Sequence, residues 1–218
     1  MNMIPWNDVD TVLLDMDGTL LDLHYDNYFW QEHAPQRYAE RHRLSLATAK
    51  QELAQRYRRV EGTLDWYCID YWTRELGLDI AVLKQEVEHL IAVHPHVLDF
   101  LYAVRAIGKR LVLVTNAHGK ALALKLRRTP IGPHFDAVVS AHDLGLPKEQ
   151  LEFWDALHAH QPFDKQRTLL VDDSLPVLRA ARAYGVVQLL AIKRPDSKQP
   201  DKDNGEFSAI ASFRDIMP

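Results

Sequence analysis

The chain has 218 residues, 47% of them hydrophobic and 26% charged, enough for one sizeable core and a smaller satellite. Its formal net charge of -4 gives no general electrostatic reason to bind nucleic acid polymers or anionic membranes, and a single cysteine, Cys68, excludes an intrachain disulfide framework and a CxxC metal site. Residues 1–8 lack the basic start and apolar run of a signal peptide, and no stretch reaches the apolar length of a membrane span, so a cytoplasmic location is expected.

Residues 11–15 form a short, continuous apolar run that ends at a turn, which reads as a buried strand. From residue 22 to about 94 the character changes. Aromatic and charged residues recur at helical intervals, giving expected helices over 27–43, 46–60, 63–76 and 79–91, with Gly62 and Gly77 marking ends. After Pro95 strands and helices alternate: helix 97–107, strand 111–115, helix 120–128, strand 137–140, helix 149–160, strand 168–171, helix 176–184 and strand 187–192. Such alternation implies right-handed crossovers and a parallel sheet covered on both faces. The expected architecture is therefore α/β: a doubly wound core from residues 1–21 and 95–218, with a helical cap, residues 22–94, inserted after its first strand. The polar stretch 193–205 reads as a loose excursion, and 207–216 as a short element packing back on the core.

Ligands of open α/β sheets bind beyond the carboxyl ends of the strands. At those positions stand Asp15 and Asp17, then Thr115-Asn116 before a helix start, then Lys148 at a turn, then Asp172-Asp173-Ser174. Taken singly, each is more often a turn or a helix cap than a functional group. Together they place several acids, one base and one hydroxyl at a single rim, a set suited to magnesium-assisted phosphoryl transfer.

Asp15-Met16-Asp17-Gly18-Thr19, Thr115-Asn116, Lys148 and Asp172-Asp173 resemble, in order and spacing, the four motifs of the haloacid dehalogenase superfamily. Asp26-Asn27-Tyr28-Phe29-Trp30, Trp66-Tyr67-Cys68, Asp70-Tyr71-Trp72 and Thr115-Asn116-Ala117-His118 are similar to its GMP/IMP 5′-nucleotidase branch. The resemblance implies a phosphatase in which Asp15 attacks phosphorus to form an aspartyl-phosphate and Asp17 acts as acid and then base. It implies Mg2+ held by Asp15, the Asp17 carbonyl, Asp173 and Asp172. Thr115, Asn116 and Lys148 would bind the phosphoryl group. An acid at Asp17 favours phosphate chemistry over halide displacement.

The implied substrate is a small phosphate monoester, GMP or IMP, with sugar-phosphate or phosphoglycolate hydrolysis, or phosphomutase activity, as the alternative. Asn27, Asp65 and Asp70 are candidates for reading a base, and His118, one turn into its helix, for touching substrate. Most cap aromatics are expected to form the cap's own core. None of the eleven histidines shows metal-ligand spacing beside other donors.

Overall fold

The computed structural model describes residues 4–218; residues 1–3, at the start of the segment read as lacking a signal peptide, lie outside the described residues. Among these residues, six strands form one parallel sheet in the order β3-β2-β1-β4-β5-β6. They are β1 (Thr11–Leu14), β2 (Arg110–Thr115), β3 (Ala137–Ser140), β4 (Thr168–Val171), β5 (Gln188–Ile192) and β6 (Ala209–Ile210). Every β1 residue is buried, as a central strand covered on both faces requires.

The strand period of two divides each central strand between two apolar layers. Val12, Leu14, Leu111, Leu113, Leu169 and Val171 belong to one cluster with Phe100, Leu101 and Val104 of helix α7 (Val97–Ala106). Leu13, Val112, Val114 and Leu170 belong to the other. There they join Phe153, Trp154 and Leu157 of α10 (Leu151–His160) and Val177, Leu178 and Ala181 of α11 (Leu175–Tyr184). Two further core helices matter to the site: α8 (Gly119–Arg128), after β2, and the single turn α9 (Ala141–Leu144), after β3. Among the described residues no helix is long and apolar enough to cross a membrane.

Between β1 and α7 the chain is helical: α1 (His24–Tyr28), α2 (Ala34–His42), α3 (Leu46–Val60), α4 (Leu64–Tyr67), α5 (Ile69–Leu76) and α6 (Ile80–Glu86). A π-helical turn over Phe29–His33 joins α1 to α2, closed by the Ala34 N–H bonding Phe29 O. It sits just before Pro35, whose missing N–H and bulky ring disrupt the regular ladder there. The helix expected over 63–76 is instead two. Cys68 adopts an extended conformation between them, and its Sγ accepts the Tyr71 N–H at 3.4 Å as the N-cap of α5. A local cap has outcompeted helical propensity at that residue.

The chain leaves and re-enters the core through two adjacent segments. Leu21 bridges Val93 in antiparallel fashion, and the Asp22 N–H donates to Ala92 O at 2.9 Å. His96 follows with φ 65°, a left-handed conformation, as the N-cap of α7. The stretch 193–205 is not the loose excursion its composition suggested. The Leu23 N–H donates to Pro195 O at 2.9 Å, Asp196 is buried and accepts from Asn27 Nδ2 at 2.7 Å, and the Lys202 N–H returns to Lys193 O at 2.7 Å. Buried polar partners order a segment that has few apolar residues to bury.

Candidate active site

The register of the sheet brings the four polar clusters to one rim. Leu14 is level with Leu113 on one side and Val171 on the other, so Asp15 follows level with Val114 and Asp172, and Thr115 stands one residue further along β2. Lys148 arrives from the loop after α9 and is completely enclosed. Its Nζ lies 2.6 Å from Asp15 Oδ1, 2.7 Å from Asp172 Oδ2 and 3.1 Å from Val114 O. The neighbouring carboxylates hold the ammonium above its ordinary pKa despite burial.

Asp172 Oδ1 accepts the Ser174 N–H at 2.8 Å, so both Asp172 oxygens are engaged. Asp173 is less constrained, facing Lys202 Nζ at 3.4 Å, while the same ammonium donates to Asp173 O at 2.7 Å. Burial pushes Asp15, Asp172 and Asp173 up to about 6, reinforced by their mutual repulsion and opposed by Lys148. One carboxylate oxygen from each of the three lies within 4.8 Å of the others. Three enclosed carboxylates facing one enclosed ammonium leave excess negative charge, and an all-oxygen donor set suits a hard divalent cation such as Mg2+.

Gly18 makes this packing possible. Its φ is +85°, and a Cβ there would come within 2.8 Å of Asp173 Cγ and 3.0 Å of Pro195 Cβ. Only glycine meets both demands.

Asp17 lines the same cavity but is not one of the three grouped carboxylates. Its Oδ1 forms an ion pair with Lys125 Nζ of α8 at 2.7 Å, without hydrogen-bond alignment, since the same oxygen is buried and lacks a directed donor. Lys125 also donates to Asp26 Oδ2 at 2.7 Å, and Asp26 Oδ1 accepts from Lys84 Nζ at 2.9 Å. Burial raises Asp17 to about 6 against the pull of Lys125. Asp26 is half-buried, and Lys125 and Lys84 overcome the resulting desolvation and hold it down at about 2. Burial lowers the Lys84 pKa, and the rings of Tyr25, Phe29 and Trp30 lie 4.9, 4.4 and 5.4 Å from its ammonium. Spacing in the sequence offers no sign of this chain. Lys84 and Lys125 sit on ordinary amphipathic helices, and only the fold brings them to Asp26.

Thr115 Oγ1 accepts the Ala117 N–H at 3.0 Å, which leaves its hydroxyl proton free to donate. Asn116 is held by its side chain: Oδ1 accepts the Lys148 N–H at 3.0 Å and Nδ2 donates to Glu149 Oε2 at 3.0 Å. Tyr67 of α4 donates its hydroxyl to Glu149 Oε1 at 2.6 Å, tying the inserted helices to the rim. Glu149 and Lys202 were not foreseen as parts of the site, and Tyr67 was marked only through the branch resemblance.

A cavity of about 440 Å3 opens between the rim and the inserted helices. Asp15, Asp17, Thr115, Asn116, Lys148, Asp172 and Asp173 of the rim line it, together with Trp30, Tyr57, Trp66 and Tyr67 of the inserted helices. Asn27 also lines it, although its Nδ2 is committed to Asp196. His118, Asp65 and Asp70 are not among its lining residues. His118 is the N-cap of α8, and Asp70 pairs with Lys120 at 2.5 Å. As expected, several aromatics serve the insert's own core: Tyr25, Phe29, Tyr38 and Trp72 are buried, and Trp72 Nε1 donates to Trp66 O at 2.9 Å.

A parallel α/β sheet with a carboxylate pair beyond its central strand, a buried lysine and a second acidic pair defines a class. The chain belongs to the haloacid dehalogenase-like hydrolases, whose family model matches residues 9–185, and it is a phosphoric monoester hydrolase. Within the family it is 40% identical over 215 residues to the GMP/IMP nucleotidase YrfG of Escherichia coli (strain K12), covering 99% of this chain and 97% of that one. It is 31% identical over 195 residues to the phosphoglycolate phosphatase of Nitrosospira multiformis, covering 81% and 80%. The crystal structure of a HAD phosphatase from Thermococcus onnurineus superimposes with a TM-score of 0.79 at 20% identity, covering 95% of this chain and 96% of that one. That likeness concerns the fold.

Proposed function

We propose that the protein is a magnesium-dependent 5′-nucleotidase that hydrolyses purine nucleoside 5′-monophosphates, GMP and IMP, through a phosphorylated Asp15. The observation that carries this reading is the lining of the cavity, which joins the polar groups of the rim to four aromatic side chains of the inserted helices. Its volume is within the usual range for small-molecule sites, and a flat purine suits ring walls. The full-length similarity to a GMP/IMP nucleotidase supports the same substrate class.

In this reading the segment 22–94 acts as a cap over the core of 1–21 and 95–218, excluding water during the reaction. Asp15 Oδ1 is held by Lys148, so Oδ2 is the oxygen that attacks phosphorus. As the Asp15–phosphorus bond forms, the bond to the nucleoside oxygen breaks, and Asp17 gives that oxygen its proton. Asp17 then takes a proton from a water that attacks phosphorus and releases Asp15. A carboxyl raised toward neutrality serves both steps. The Thr115 hydroxyl and the Asn116 N–H bind phosphoryl oxygens, and Lys148 offsets charge between nucleophile and phosphate. Asp15, the Asp17 carbonyl, Asp173 and Asp172 would hold Mg2+, which neutralises the carboxylates and the phosphate when bound.

Steady-state assays with Mg2+ on GMP, IMP, phosphoglycolate and sugar phosphates test the substrate. The expected order puts GMP and IMP first by kcat/KM. Faster turnover of phosphoglycolate or a sugar phosphate overturns the assignment, and transfer of phosphate to a second sugar position marks a mutase. Asp15→Asn is expected to abolish turnover, and wild-type rates in that variant exclude Asp15 as nucleophile.

A further inference from the structure

A second group of ligand-type side chains lies outside the cavity. Cys68, at the break between α4 and α5, meets His118 at the start of α8 and His142 of α9, with one ligand atom of each within 4.8 Å of the others. No spacing in the sequence groups them; the docking of the inserted helices on the core does. The two imidazole rings are 5.0 Å apart and nearly perpendicular, at 83°. His142 Nε2 is buried and has no hydrogen-bond partner, a cost that a bound cation removes. Cys68 Sγ accepts the Tyr71 N–H at 3.4 Å, a contact that fixes the position of the sulfur. Asp70 Oδ2, 3.8 Å from His118 Nε2, adds negative charge beside the cluster. His118 Nδ1 accepts the Lys120 N–H at 3.3 Å, a long bond that is readily given up if that nitrogen becomes a ligand.

We propose that Cys68, His118 and His142 form a site for a borderline transition-metal cation of the Zn2+ class, joining the inserted helices to the core rim. One thiolate and two imidazoles select such an ion, whereas the all-oxygen cluster of Asp15, Asp172 and Asp173 selects a hard one. Tetrahedral Zn2+ bonds of about 2.0–2.3 Å place donors roughly 3.3–3.7 Å apart, so side-chain rotations on the order of 1 Å close the present arrangement around an ion. Water takes the fourth position. Binding releases the Cys68 thiol proton to solvent.

The test uses the full-length protein with Mg2+ in excess, which occupies the carboxylates and competes poorly for sulfur and imidazole. Titration is expected to show one Zn2+ bound per chain, a rise in the thermal midpoint, and a thiolate-to-metal charge-transfer band when Co2+ replaces Zn2+. Cys68→Ala and His142→Gln should each weaken Zn2+ by about tenfold or more, and Cys68→Ala should lose the Co2+ band. Asp173→Asn should leave Zn2+ binding unchanged. Equal Zn2+ affinity in wild type and Cys68→Ala, no binding in wild type, or a Co2+ spectrum without the thiolate band overturns the site. Loss of Zn2+ in Asp173→Asn but not in Cys68→Ala places the ion among the carboxylates and overturns it equally.

Discussion

Lys125 Nζ stands 2.7 Å from Asp17 Oδ1 and 2.7 Å from Asp26 Oδ2, so the proposed acid–base residue shares its counter-ion with an aspartate of the inserted helices. Burial raises the Asp17 carboxyl to about 6, and Lys125 is the largest influence pulling it back. Removing the ammonium in Lys125→Met leaves burial and the Asp15 and Asp26 charges unopposed, so the Asp17 pKa moves up. An opposite charge at this distance is worth roughly one to three units. The limb of the kcat/KM profile governed by Asp17 is expected to shift to higher pH by about one unit or more. At pH 7 less Asp17 is then ionised to activate water, so phosphoenzyme accumulates and kcat falls by roughly 2- to 100-fold. Lys84 remains to pair Asp26, which favours a folded variant. A pH profile superimposable on wild type would separate Lys125 from the chemistry.

The metal-free protein should be destabilised as pH rises through the acidic range. Asp15, Asp172 and Asp173 have folded pKa values of about 6, above the ordinary value of 3.8. Between those values the native state binds more protons than the unfolded one, so stability falls with rising pH. The contribution is fully present below about pH 3.8 and is gone above about pH 6. A divalent cation reverses the penalty because it binds the ionised form. Mg2+ at about 100 times its dissociation constant adds about 2.7 kcal/mol, or roughly 5–10 °C in Tm for a chain of this size. Differential scanning calorimetry with Mg2+ and with EDTA should therefore show a larger Mg2+ increment at pH 7.5 than at pH 5. Equal increments would place the ion elsewhere.

The rim was legible in the sequence because its residues lie at strand ends, and strand ends are marked by apolar runs that stop. Asp15 and Asp172 fall side by side because Leu14 aligns with Val171, and Thr115 lies one residue past the same level because Leu14 aligns with Leu113. Lys148 was legible through its place in a motif. Lys84 and Lys125 were not, since a helical lysine looks the same in sequence whether it faces solvent or another helix's aspartate; nor was Glu149, a turn residue whose partners Asn116 and Tyr67 are far from it in the chain. Lys202 was hidden differently. Its polar surroundings suggested a loose segment, whereas buried Asp196 and the Pro195 carbonyl fasten the loop that delivers it to Asp173. Cys68 split an expected helix through a local cap that periodicity does not detect.

Gly18→Ala should damage the site without replacing any titratable group. The φ of +85° is unfavourable for alanine, and its Cβ would sit 2.8 Å from Asp173 Cγ, so either the turn or the carboxylate has to move. A forced left-handed residue costs on the order of 1–3 kcal/mol. The expected outcome is a Tm lower by several degrees together with an Mg2+ requirement raised by about tenfold or more. Unchanged Mg2+ dependence in a folded variant would show that Asp173 does not serve the ion.

Tyr67 joins the inserted helices to the rim through Glu149, and Glu149 holds the Asn116 amide whose Oδ1 receives the Lys148 N–H. Burial and the Glu149 charge both raise the Tyr67 pKa, so the phenol stays protonated and remains a donor. Tyr67→Phe keeps the ring on the cavity wall and removes only the hydroxyl. A hydrogen bond to a charged acceptor contributes about 1.5–3 kcal/mol, and its loss favours arrangements in which the insert is undocked. If docking precedes productive binding, the apparent KM scales inversely with the docked fraction, and it rises by less than the full change in the docking equilibrium where the docked form predominates in the wild type. Tyr67→Phe is expected to raise KM for GMP by roughly 3- to 10-fold and to change kcat by less than about threefold, because Asp15, Asp17 and Lys148 keep their contacts. A fall in kcat with KM unchanged would assign Tyr67 to the chemical step. Little change in either would mean that the Glu149 contact does not govern docking.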